Sequence, residues 1–179
     1  MLQRDNTVLV LIDVQEKLLN AMHGKDALLA ATVKMVQGAK VLGLPIVWTE
    51  QNPKGLGSTV PEVKDLLADS KPITKLSFSC CGEKPFVSRL DELGCKQVLI
   101  GGIECHVCVY QTVADLCAQG FDVQVVADTV SSRTPENRAV GLERCRDVGA
   151  RVTSVETALF ELLKVAEGDR FKAMLKVVK

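Results

Sequence analysis

The chain has 179 residues, 47% hydrophobic and 25% charged, with 22 basic side chains balancing 22 acidic ones. That length suits a single domain over residues 1–179 and is too short for two sizeable ones. Zero net charge without a long Lys/Arg block argues against a nucleic-acid surface or a polybasic membrane patch.

The apolar run "VLVLI" before Asp13 is far too short for a secretory or membrane-spanning segment. The 7 cysteines are therefore expected to be reduced thiols in a cytoplasmic protein, most of them serving as small buried hydrophobes.

From the N-terminus, "TVLVLID" (Thr7–Asp13) reads as a buried strand. Asp26–Gly43 follows as a helix, its apolar positions spaced near 3.6 and Gly43 closing it. "PIVWT" is a second strand, "NPKGLGSTV" a loop, and "PEVKDLLAD" a short helix opened by proline. A short third strand in "PITKLSF" precedes the helix "KPFVSRLDELG". "KQVLIGGI" is a fourth strand, with a helix over Val109–Gln119. Asp122–Asp128 is a fifth strand and "TPENRAVGLERCRDVG" its helix. "ARVTS" is a sixth, with helices predicted over "VETALFELLKVA" and in the tail "DRFKAMLKVV". Apolar strands alternating with amphipathic helices predict an α/β fold, a doubly wound, mostly parallel six-stranded sheet with helices on both faces. In such sheets ligands bind beyond the carboxyl ends of the strands, near a topological switch point. That rule directs attention to Asp13, residues 49–52, Lys75, the loop 102–108 and Asp128.

Asp13 ends an entirely apolar strand, where an ionised carboxylate needs a partner. It reads as a cap, a general base or an orienting group. An aspartyl nucleophile of the phosphatase type would want a second Asp two residues on, where Gln15 stands. Lys75, between Ile73 and Leu76, is placed to be partly desolvated and to want a carboxylate such as Asp13.

The stretch "GGIECHVCVYQT" carries Cys105 and Cys108 in C-x-x-C spacing. A redox pair would normally open the first long helix of a thioredoxin-like unit, not follow a fourth strand. A zinc site would want further ligands, and neither the adjacent Cys80 and Cys81 nor the two histidines supply suitable spacing. A nucleophile fits better. With the helix starting near Val109, Cys108 falls at its first turn, where free N–H groups favour a thiolate and an oxyanion. Physics alone favours Cys108 over Cys105.

With these residues the chain resembles the isochorismatase-like cysteine hydrolase superfamily over nearly its whole length. The similarity is carried by "LVLIDVQ", by "TKLSFS", by "GIECHVCVYQT" with Val109 and Thr112 after Cys108, and by "VVADTVSSR". The resemblance implies a catalytic triad of Asp13, Lys75 and Cys108, with Cys105 a bystander. It implies a non-proline cis peptide at Ile103–Glu104, aiming the Glu104 N–H at an oxyanion beside that of Cys108. It further implies a hydrolase of amide-type C–N bonds in a small-molecule substrate, no cofactor, and self-association into a homo-oligomer. Nicotinamidases of this superfamily bind a metal through an Asp-x-His element; Gln51 and Pro53 stand there instead, so no metal is expected. Gln51, Asn52 and Phe78 remain as substrate-pocket candidates. The competing readings are a catalytically silent binding or regulatory protein on the same fold, and a thiol redox protein using Cys105 and Cys108.

Overall fold

The computed structural model describes all residues 1–179. Six strands form one parallel sheet: β1 (Thr7–Ile12), β2 (Ile46–Gln51), β3 (Ile73–Lys75), β4 (Gln97–Ile103), β5 (Asp122–Ser131) and β6 (Arg151–Thr153), in the order β3-β2-β1-β4-β5-β6. The order reverses between β1 and β4, so the switch-point crevice opens where these two end.

Helices cover both faces: α1 (Glu16–Asn20), α2 (Lys25–Leu42), α3 (Pro53–Leu56), α4 (Pro61–Lys64), α5 (Lys84–Leu93), α6 (Tyr110–Ala118), α7 (Pro135–Asp147), α8 (Val155–Leu163) and α9 (Gly168–Val178). The pleat sorts alternate side chains of β1. Leu9 and Leu11 pack with α2, α8 and α9, whereas Val8, Val10 and Ile12 pack with α5, α6 and α7. Burial on both faces explains why β1 and β4 read as unbroken apolar runs.

Besides α1, which the sequence reading left unassigned, three elements depart from it. The loop after β2 contains the single-turn helix α3, opened by Asn52 in the left-handed region and by Pro53 at its first position. Strand β5 runs three residues past Asp128, with its register against β4 shifting between Ile100 and Gly102. Asp128 is thus inside the strand rather than in the crevice, and its carboxylate accepts the Val155 N–H at the start of α8 (2.9 Å). Third, the helical run before α6 begins at Cys105, not Val109. Residues Cys105–Val109 form one π-turn in which the N–H groups of Val107 and Val109 both reach the Glu104 carbonyl (3.0 and 3.2 Å).

Candidate active site

Three strand ends converge on the switch point. Asp13 immediately follows β1, held at φ 55° with its N–H on the Thr49 carbonyl of β2 (3.2 Å). Lys75 is the last residue of β3. Cys108 stands in the π-turn after β4. Close approach of β4 to β1 requires glycine at 102: its φ is 125°, and a Cβ there would overlap the Ile12 backbone.

The Lys75 ammonium lies 2.7 Å from Asp13 Oδ2, and both side chains are wholly excluded from solvent. Asp13 Oδ1 accepts the Thr49 hydroxyl at 2.7 Å. Lys75 Nζ donates to Gln51 Oε1 at 2.6 Å and to the carbonyls of Phe78 (3.1 Å) and Ser77 (3.2 Å). Asp13 thus faces the ammonium at Oδ2 and shares a side-chain hydrogen bond with the Cys108 thiol, which places the carboxylate to exchange a proton with the sulfur.

Charge and burial compete here. Desolvation pushes Asp13 above the ordinary carboxylate value, against the pull of Lys75. For Lys75, burial pulls downward, but the negative charges of Asp13 and of a Cys108 thiolate outweigh it, and the net direction is up. Burial, then the Asp13 carboxylate, push the Cys108 thiol up to about 12, while Lys75 pulls it back. The resting thiol is therefore neutral, which corrects the thiolate expected from a helix N-terminus. The physical reason is burial first and the facing Asp13 carboxylate second, in an apolar setting.

Cys105 has different surroundings. Its thiol is fully buried, approaches the Arg138 carbonyl of α7 (3.7 Å), and is pushed up to about 12 by burial. All seven cysteines are free thiols. Thr112, one turn after Cys108, donates to the Cys108 carbonyl (2.7 Å) and accepts the Cys80 N–H (3.0 Å), tying the Cys105–Val109 turn to the loop after β3. The Ile103–Glu104 peptide is cis, and the Glu104 N–H has no partner within the chain. The Glu104 carboxylate pairs with Arg133 (3.0 Å), and His106 meets the Ser132 hydroxyl (2.9 Å), so the end of β5 borders the turn.

The three pocket candidates fall in different places. Gln51 is committed at both ends, to Lys75 and to the Leu76 carbonyl (2.9 Å). Asn52 is exposed at the start of α3. Phe78 is 56% exposed and touches the site through its carbonyl, not its ring. Sequence reasoning met three further site residues without giving them these roles: Thr49 as one of the strand-end residues, Gln15 in the stretch after Asp13, and Cys80 as a rejected zinc ligand. Gln15 clamps Gln51 by accepting its N–H (2.7 Å) and donating to its carbonyl (3.0 Å). Cys80 lies behind Thr49 (3.9 Å). Thr49 and Gln15 carried a signal, being polar residues at the ends of apolar strands; Cys80 carried none. No group of three or more His, Cys, Asp and Glu side chains is arranged to hold a metal ion. A cleft of about 490 Å³ between Gln3–Asn6 and the α8–α9 connection is at the opposite ends of the strands from Asp13, Lys75 and Cys108.

A parallel sheet in this order, with its polar crevice at the β1/β4 switch point, is the architecture of the isochorismatase-like hydrolases. A structure of MAR1 ribonuclease from Caenorhabditis elegans superimposes with a TM-score of 0.93 at 34% identity, covering 99% of this chain and 91% of that one. The Escherichia coli YcaC protein, described as an octameric hydrolase of unknown specificity, shares the fold with a TM-score of 0.94 at 24% identity over 98% and 88% of the two chains. Residues 7–157 match the isochorismatase domain, and the chain belongs to the isochorismatase family. Among its relatives, a secreted isochorismatase effector, Isc1, from Phytophthora sojae is 41% identical over 97% of this chain and 85% of its own length. Isochorismatase domain-containing protein 1 of Salmo salar is 35% identical over 97% of this chain, which spans only 61% of that relative. No helix is long and apolar enough to cross a membrane.

Proposed function

We propose that this chain is a cysteine hydrolase that cleaves a small amide-type C–N bond through a thioester. The observation that carries the reading is the buried Asp13 carboxylate, 2.7 Å from the Lys75 ammonium and sharing a side-chain hydrogen bond with the Cys108 thiol.

Asp13 takes the thiol proton, and the Cys108 sulfur attacks the carbonyl carbon. Lys75 stabilises the charge that moves between carboxylate and sulfur. The tetrahedral oxyanion is met by the backbone N–H groups of Glu104 and Cys108. Asp13 then gives its proton to the nitrogen, the C–N bond breaks, and ammonia or an amine departs. A water, deprotonated by Asp13, attacks the thioester; the proton returns to the departing sulfur and the acid is released. A raised carboxylate is the right base for this work, because its proton affinity lies closer to that of the group it must deprotonate. A silent binding protein would have no need of an Asp–Lys pair held in this way beside a thiol.

Two relatives carry other activities in their names. A vinyl-ether substrate such as isochorismate gives a thiol nucleophile no carbonyl to acylate, and a chain of zero net charge has little to attract a polyanion such as RNA. The free thiols favour a reducing, cytoplasmic setting, although the Phytophthora sojae relative is described as secreted.

A screen of small primary amides and ureido compounds for ammonia release, with isochorismate and RNA as parallel arms, tests the reading. Cys108→Ala should remove at least about 10³-fold of the turnover, since the triad acts as a unit. Cys105→Ala should stay close to the unsubstituted protein. Full activity in Cys108→Ala, or turnover confined to isochorismate or RNA, refutes it.

A further inference from the structure

We infer that Gln51 is a positioning residue for Lys75 rather than a substrate contact: its side-chain oxygen fixes the ammonium between the Asp13 carboxylate and the nucleophile. The inference rests on the triad reading above and concerns how its cation is aimed.

The Lys75 ammonium has three protons and four nearby oxygens. Gln51 Oε1 is the nearest at 2.6 Å, ahead of Asp13 Oδ2 at 2.7 Å and the Phe78 and Ser77 carbonyls at 3.1 and 3.2 Å. The carbonyls belong to the loop immediately after β3 and move with the lysine. Gln51 is the only one of the three neutral acceptors that comes from another strand. It pairs with Lys75 in the β2–β3 register, so backbone and side chain make the same cross-strand link.

Gln51 itself cannot swing. Its Nε2 donates to the Leu76 carbonyl at 2.9 Å, and Gln15, just before α1, grips its backbone on both sides, with its Nε2 also donating to Gly57. The brace runs from the segment after β1 through β2 to the lysine of β3. A substrate amide seeking Gln51 would have to displace one of these bonds.

The test reads the thiol directly and needs no knowledge of the substrate. In the full-length protein, alkylation of Cys108 by iodoacetamide is followed by mass spectrometry at fixed pH in three variants. Gln51→Met keeps the length and removes both polar atoms. Gln51→Glu restores an oxygen acceptor without the amide donor. Lys75→Met is the reference arm. Gln51→Met should alkylate roughly tenfold more slowly, about one unit of thiol pKa, with thermal unfolding little changed, and Gln51→Glu should recover most of that loss. Recovery by the glutamate isolates the acceptor, because a merely structural role would not follow one oxygen atom.

Slowing in Lys75→Met without slowing in Gln51→Met overturns the inference and leaves the triad reading intact. No slowing in either overturns both. A Gln51→Met loss that Gln51→Glu does not recover also overturns the inference. Should Lys75→Met fail to fold, Gln51→Met against the unsubstituted protein still decides.

Discussion

Asp13 and Lys75 form a buried ion pair with almost no water to screen it. Removing either partner from such a pair typically costs about 3–5 kcal/mol, because the other charge is stranded. Hydrogen bonds from Thr49 to Asp13, and from Lys75 to Gln51 and two carbonyls, stabilise the pair. This arrangement dictates a pH response. Asp13 is raised by desolvation, and protonating it removes the base. Turnover should therefore fall as pH drops through a value above the ordinary aspartate value of about 3.9; a kcat/KM profile with an acid limb at or below that value would contradict the assignment. Cys108 is pushed up to about 12 by burial and Asp13. Its alkylation should thus still be climbing steeply between about pH 6 and 9, without the plateau of a low-pKa thiolate. Stopped-time alkylation with peptide mapping measures this.

At the scale of elements, the nucleophile turn is set by what packs on it. Helix α7 presses Gly141 directly against it: a Cβ there would lie 2.7 Å from the Cys105 carbonyl carbon and from the His106 nitrogen. Both are backbone atoms, so the turn itself must move. Gly141→Ala gains up to about 1 kcal/mol of helix propensity, but overpacking of this kind costs about 1–3 kcal/mol. The expected result is a small net loss of thermal stability with more than about a tenfold fall in kcat, since small misplacements of a nucleophile are expensive. Gly38→Ala is the control. It meets only the Leu159 side chain on the other face of the sheet, and should alter melting without altering kcat. Equal effects of the two substitutions on kcat would show that α7 does not position the turn.

At the scale of the molecule, the triad opens near the β3 edge of the sheet, where the following loop exposes Leu76 (74%) and Phe78 (56%). Two large apolar side chains on one short loop are better hidden than hydrated. Self-association is therefore expected, and light scattering should return a multiple of the 19.4 kDa chain mass. Leu76→Ser with Phe78→Ser should shift that mass downward if this loop contributes to the contact; a monomer in the unsubstituted protein would refute the expectation.

Strand and helix types, the parallel sheet and the three strand-end residues were legible in the sequence, because apolar periodicity and isolated polar residues at strand ends are local features. Asp13 and Lys75 stood out for the same reason, as charges where a buried strand stops. The end of β5 was not legible: past Asp128 the strand is maintained by pairing with β4 across a register shift, which no local pattern encodes. Nor was the role of Gln51, which as a loop-edge amide looked available to a substrate and is in fact consumed by Lys75 and Leu76. The sequence by itself determined which groups would meet at the switch point. Only the tertiary structure decided their protonation. The fold buries the Cys108 thiol against the Asp13 carboxylate, and burial first and that charge second hold the thiol neutral.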